Sequence, residues 1–138
     1  MLRLNNDSIT KKNVIRGLHY QIGDEQCKLI HVVTGRIKDV IVDIRKDSPS
    51  FGKSLSFDLN SKDHHMLFVP EGFAHGYRVL EEKTLVMYKC TNYYNSKKEY
   101  GIKWDDPDIN IDWGIVSPIM SDKDSNLPLL KNQSNLPS

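Results

Sequence analysis

Two short segments of this chain carry the residue types of proton-transfer chemistry, Arg16-Gly17-Leu18-His19-Tyr20-Gln21 and Pro70-Glu71-Gly72-Phe73-Ala74-His75-Gly76. Each sets a histidine at the end of a strand-like run, the second directly after a Pro-x-Gly turn. That spacing suits two ring nitrogens converging in the mouth of a small β-barrel. Histidine takes or gives a proton near neutral pH because its unperturbed pKa is roughly 6.5. The chain therefore reads as an enzyme.

The elements that position these residues are strands. Helical signals are scarce, and short runs rich in Val, Ile, Phe and Tyr recur between Gly, Pro, Asn and Asp clusters, which predicts an all-β sandwich or barrel. The strands fall near residues 14–20, 28–34, 36–45, 53–59, 65–69, 75–80 and 84–91. Thr34-Gly35 reads as the turn of a tight hairpin, and Asp47–Gly52 as a loop. After Asn92 the pattern loosens into an irregular covering segment with one short helix.

Alternation along a strand decides which side chains share a face. Lys28, Ile30 and Val32 fall together, as do His75, Tyr77 and Val79, and Val86, Tyr88 and Cys90. If these faces line the interior, Lys28, His75 and Tyr88 project polar groups into an apolar cavity, where each needs a partner or a ligand. Arg16 and His19 lie three apart and would point in opposite directions on a regular strand. A bulge at Gly17 reconciles them.

The 138 residues fit one domain, expected over 1–130, with 131–138 as a flexible polar tail. No apolar run approaches the roughly 20 residues of a membrane helix, so no membrane partner is expected. The start lacks the layout of a secretory signal, and Cys27 and Cys90 are too few for a disulfide framework; a cytoplasmic setting follows as the expectation. With 19 Lys+Arg against 18 Asp+Glu no global field attracts nucleic acid.

At these residues the chain resembles the dTDP-4-dehydrorhamnose 3,5-epimerases, the RmlC-type cupins of activated deoxysugar synthesis. The likeness runs through Val14–Gln21, Gly35–Asp43, Ser48-Pro49-Ser50-Phe51-Gly52-Lys53, Pro70–Gly76, Tyr88–Tyr94, Gly101–Pro107, Ile111-Asp112-Trp113 and Ser121-Asp122-Lys123-Asp124. It implies a double-stranded β-helix, or jelly roll, assembled as a homodimer. Family members carry a further segment before the point where Met1 stands, so the resemblance is to an N-terminally short member. The family's Gln-Asp-Asn corresponds to Leu4-Asn5-Asn6, which keeps only Asn6 as a substrate-binding position.

The family's reaction inverts carbons flanking a C4 ketone, where a carbanion delocalises onto oxygen as an enolate. It needs a base on one face, an acid on the other and a cation near that oxygen. By resemblance His19 is the base, Asp124 the carboxylate that fixes its tautomer, and Tyr88 the acid. Lys28 and His75 match sugar contacts, and Arg16 matches a diphosphate-binding fork. Glu99 and Lys123 match further substrate-binding positions, and Tyr94 the aromatic that stacks on the nucleotide base. Taken singly, each has a plainer reading: a rim histidine, a turn aspartate, a core tyrosine, a snorkelling lysine, solvated charges, or a tyrosine packed on Trp104 or Trp113.

Metal-binding cupins carry His-x-His followed by Glu, whereas Tyr20 and Gln21 follow His19, so no metal is expected. His64-His65 sit on adjacent strand positions that face apart and offer no substitute. Proton transfer needs no cofactor. The sequence thus predicts a cofactor-independent epimerase of a nucleoside-diphosphate-4-keto-6-deoxyhexose acting at C3, C5 or both. The alternatives are a 3- or 5-epimerase, or a non-catalytic cupin that binds sugar nucleotides.

Overall fold

The computed structural model describes residues 4–138, with side chains from residue 9 onward. Among these residues nine strands follow in order: β1 Leu4–Thr10, β2 Ile15–Gln21, β3 Lys28–Thr34, β4 Arg36–Asp43, β5 Ser54–Asn60, β6 Met66–Val69, β7 Phe73–Val79, β8 Thr84–Cys90 and β9 Glu99–Gly101. They form two antiparallel sheets, β1-β8-β3-β6 and β5-β4-β7-β2-β9. One four-residue helix, α1 (Asp122–Ser125), lies in the long segment after β9.

The two sheets face each other across an inner core. Ile30 and Val32 of β3, Val69 of β6 and Val86 of β8 meet Ile37 and Ile41 of β4 and Tyr77 and Val79 of β7. Two facing sheets are what the period-2 patterns predict, and the jelly-roll arrangement is the one the family resemblance implies. The opposite face of the five-stranded sheet is also covered: Leu18, Tyr20, Val40 and Val42 pack against Ile102, Ile109, Trp113 and Leu130 of the C-terminal segment. Central strands of that sheet are therefore buried on both faces. Each buried aliphatic side chain contributes about 1.5–3 kcal/mol of transfer free energy.

Three expectations are corrected. Thr34-Gly35 does not close a hairpin, because β3 and β4 belong to different sheets. Gly35 instead turns the chain between layers at φ +83°, where a Cβ would come 2.2 Å from Thr84 Oγ1. His64-His65 lie in the turn before β6, not on a strand, with His64 at φ +55°. The stretch 131–138, expected to fray, is held down. Tyr20 donates to the Asn135 carbonyl at 2.6 Å, Gln133 to the Gly101 carbonyl at 3.0 Å, and Leu136 packs on the outer core. Composition there is polar, yet Leu136 and bonds to backbone carbonyls tie it down, the Pro137 carbonyl also accepting from the Lys46 amide at 2.9 Å.

The Asp47–Gly52 loop is organised by a carboxylate. Buried Asp43 accepts hydrogen bonds from the Ser48 and Ser50 hydroxyls, both at 2.6 Å, and from Arg45 Nη2 at 2.7 Å. These bonds, the Arg45 bond above all, hold the Asp43 carboxyl far below the usual carboxylate range.

The register between β2 and β7 shifts between Arg16 and His19. There Gly17 has φ +107°, and a Cβ on it would meet His75 O at 2.6 Å and Gly76 Cα at 2.8 Å. Ile15, Leu18 and Tyr20 all join the outer core, so the shift leaves Arg16 and His19 on the same, inner face. The bulge anticipated at Gly17 is the device that aligns them. Gly17→Ala is expected to cost about 2–4 kcal/mol, from a disfavoured φ and backbone overlap together. Gly23→Ala is the control: its φ is +83°, but the nearest atom to a Cβ is 3.5 Å away. Urea denaturation of both should show a much larger loss for Gly17→Ala.

Candidate active site

The inner face of β2 presents His19, with Nε2 2.6 Å from Asp124 Oδ1. Asp124 arrives from α1, more than a hundred residues away. Ser121 caps the helix by accepting from the Asp124 amide at 3.1 Å. A carboxylate at that third helical position ordinarily returns to the cap. Here Oδ2 accepts the Gly17 amide at 3.1 Å and Oδ1 takes the imidazole. Burial pushes the Asp124 carboxyl up, but the His19 hydrogen bond, the imidazole's charge, the Gly17 amide and Lys123 together hold it below its ordinary value. It is therefore a carboxylate acceptor, which places the proton of a neutral His19 on Nε2 and leaves Nδ1 with the lone pair.

Because Asp124 ionises more readily in the folded chain, its stabilising contribution is full above the unfolded value of roughly 3.9 and is lost as pH falls through the lower folded value. Asp124→Asn is expected to flatten the acid limb of the stability curve, measured by urea unfolding between about pH 6 and pH 3.

Glu99, at the start of β9, stands on the other side of the ring, with Oε1 4.0 Å from His19 Nδ1. Its Oε2 accepts from the Tyr94 hydroxyl at 2.9 Å and is paired with Lys123 Nζ. Burial raises the Glu99 carboxyl, while Lys123, His19 and Tyr94 outweigh it and keep the group ionised to lower pH than usual. One cluster thus gathers His19, Asp124, Glu99, Lys123 and Tyr94.

His75 lies beside His19 in the β2–β7 register and is buried, with Nε2 2.8 Å from Asp39 Oδ2. Asp39 is fully buried, and its Oδ1 has no hydrogen-bond partner among the described residues. Lys28 lies deep in the protein and keeps partial solvent access. Burial lowers its ammonium pKa, and Cys90, Glu99 and Asp39 offset part of that. No carboxylate ion-pairs with Lys28 within 4 Å among the described residues. Cys90 faces it directly across β3–β8.

Tyr88 is on β8, in the sheet opposite His19, half-buried against the inner core. Arg16 is exposed on the inner face of β2 and lines a cavity of about 230 Å³ with Ser121 and Asp124. Asn6 pairs through its backbone with Tyr88; its side chain lies outside the described residues. Trp113 donates its indole N–H to the Trp104 carbonyl at 2.7 Å in the outer core, whereas Tyr94 is exposed and bonds Glu99.

Two further residues escaped the sequence reading. Asp39 shares parity with Ile37 and Ile41, both in the inner core, and that lone carboxylate in an apolar face was the available signal. Buried Gln21, two residues after His19 on the same face, donates to the Asp24 and Tyr93 carbonyls and accepts the Asn95 amide at 2.9 Å. It braces the loop that carries Tyr94. Among the described residues no group of three or more His, Cys, Asp or Glu is arranged to hold a metal ion. None of their helices is long and apolar enough to cross a membrane.

The sequence profile described as dTDP-4-dehydrorhamnose 3,5-epimerase matches residues 2–132. A protein of that name from Shigella flexneri is 47% identical over 122 residues, covering 88% of this chain and 67% of the relative. The crystal structure of dTDP-6-deoxy-D-glucose-3,5-epimerase RmlC from Legionella pneumophila Philadelphia 1, in complex with dTDP-4-keto-L-rhamnose, superposes with a TM-score of 0.95. That match has 38% identity and covers 99% of this chain and 74% of the other. ChmJ, a 3'-monoepimerase from Streptomyces bikiniensis in complex with dTDP-quinovose, gives 0.89 at 28% identity, covering 94% and 67%.

Proposed function

We propose, from the premise that this chain belongs to the dTDP-4-dehydrorhamnose 3,5-epimerase family of sugar-nucleotide epimerases, that it inverts C3, C5 or both of a nucleoside-diphosphate-4-keto-6-deoxyhexose by proton transfer. The observation that carries the reading is the His19–Asp124 dyad on the inner face of β2, which engages Nε2 and leaves the Nδ1 lone pair available. His19 Nδ1 removes the proton beside the C4 ketone, and the electron pair moves onto O4. Lys28 brings positive charge into a poorly hydrated interior, where it stabilises the enolate far more than in water. His75, oriented by Asp39, supplies a hydrogen bond to the same region. Tyr88, from the facing sheet, returns a proton to the opposite face. Arg16 binds the diphosphate, and Tyr94 stacks on the base beside Glu99 and Lys123.

In D₂O with dTDP-4-keto-6-deoxyglucose, deuterium is expected at C3, C5 or both. Binding without any uptake overturns the reading in favour of a non-catalytic sugar-nucleotide cupin. Tyr88→Phe is expected to impair inversion more than initial exchange, compared by NMR of recovered substrate and product. The likeness to a 3'-monoepimerase favours, as second reading, a single-position epimerase, which would label one carbon only.

The protein is further expected to act as a homodimer. The outer face of the four-stranded sheet supports this, since Ile9, Val33, Met66 and Phe68 are exposed there beside Leu29 and Met87. An exposed apolar face of this kind marks an interaction surface. A monomer in sedimentation at micromolar concentration would refute it.

A further inference from the structure

Resting on the epimerase reading, the geometry points to Glu99 as the exit for the proton that His19 captures, a positioning residue that recharges the base while the sugar stays bound. Inverting two carbons with one base poses a problem that inverting one does not. After the first inversion His19 is an imidazolium and Tyr88 a phenolate, so neither can repeat its task. A single-position enzyme resets after product leaves; a double-position enzyme must reset with the ring in place.

Among the described residues the bonds around His19 leave one route through protein groups. Nε2 is committed to Asp124, which is buried and also holds the Gly17 amide. The captured proton sits on Nδ1, and the group facing Nδ1 is Glu99 Oε1 at 4.0 Å. One bridging water or a shift of about 1 Å closes that gap. Oε2 is held by Lys123 and the Tyr94 hydroxyl, both exposed side chains, so Glu99 connects the ring to solvent.

The steps balance without a co-reactant. The C–H bond breaks, its proton binds Nδ1 and its electron pair forms the enolate. The Tyr88 O–H bond then breaks and its proton binds carbon on the other face. The Nδ1–H bond next breaks toward Oε1, Glu99 passes that proton to water, and the Tyr88 phenolate regains one from solvent. Lys123 favours the ionised carboxylate, so Glu99 releases what it receives. The other charged groups around the ring are Asp124, occupied on Nε2, and His75 and Lys28, which lie deeper.

Glu99→Gln keeps the size and the acceptor for Lys123 and Tyr94 but cannot carry a proton. In D₂O, wild type is expected to release doubly labelled product. In Glu99→Gln both exchanges slow, and the ratio of doubly to singly labelled product falls by more than about tenfold. Added formate, a small diffusible carboxylate, is expected to restore the ratio in a concentration-dependent way, and Glu99→Asp to be intermediate. A rise in KM with an unchanged ratio overturns the relay and leaves Glu99 a binding contact, as does absence of formate rescue. Singly labelled product from wild type also overturns it. An unlabelled wild-type product overturns the epimerase reading instead.

Discussion

His19→Ala is expected to lower solvent deuterium exchange by about 10²–10⁴-fold, the contribution of a positioned general base, while leaving the barrel folded. The fold should survive because the strand is anchored by its neighbours. Leu18 and Tyr20 are buried in the outer core, whereas His19 lies on the opposite, inner face and is partly exposed. What the variant disturbs is Asp124, which loses the 2.6 Å imidazole bond and keeps the Gly17 amide and its own helix cap. Asp124→Asn attacks the same unit from the other side. An amide can donate to Nε2 and so favours the tautomer that carries its proton on Nδ1, the nitrogen needed as base. A dyad acting as one unit gives strongly non-additive effects. The double variant His19→Ala/Asp124→Asn should thus be no slower than His19→Ala alone, within about threefold. Full exchange rates in His19→Ala would remove it as the base.

The inner and outer faces were legible because strands alternate. Ile30 and Val32, Tyr77 and Val79, and Val86 each fell where period 2 put them, and all are buried in the inner core. The place where parity broke, Arg16 to His19, was also legible, because only glycine tolerates the bulge that restores it. β1 escaped notice since Leu4–Thr10 reads LNNDSIT, with too few apolar residues to alternate. It is a strand because its backbone pairs with β8 from Leu4↔Cys90 to Thr10↔Thr84. β9 is three residues long, below what any periodicity resolves, yet it sets Glu99 opposite Gln21. The error at Thr34-Gly35 has the same origin. A glycine at positive φ fits a hairpin and a crossing between sheets equally well, and only tertiary pairing distinguishes them.

Asp39 shows how a site residue hides in plain view. It sits next to Lys38 in Arg36–Asp43, but Lys38 and Asp39 point to opposite faces. Its burial is tolerated because His75 is there to meet it. A charge on an apolar face is expensive enough to signal a partner or a ligand. Applied to β4, that rule identifies Asp39 before any coordinates. The Tyr94–Glu99–Lys123 group belongs to a different category. Gln21 fastens its loop through backbone carbonyls and an amide, contacts that no sequence pattern encodes.

Lys28→Met is the variant in which stability and activity should move in opposite directions. Lys28 carries its charge into the protein interior, where burial disfavours the ammonium and no carboxylate ion-pairs with it among the described residues. Methionine of similar length removes that cost and fills the same space, so stability should rise by about 1 kcal/mol or more. The reaction loses its cation near O4, and kcat should fall by about 10²–10³-fold, as when one oxyanion donor is removed. The pH dependence separates these effects. The folded ammonium gives up its proton at lower pH than the unfolded value of roughly 10.4, so between those two points the unfolded chain binds more protons and stability rises with pH. Over the same window wild-type turnover should decline as the charge disappears, and both trends should vanish in Lys28→Met. The check is to measure kcat and unfolding free energy in parallel from about pH 7 to pH 10. A variant as active as wild type would show that O4 is stabilised without Lys28. A variant less stable than wild type would show that the ammonium has a partner its burial does not reveal.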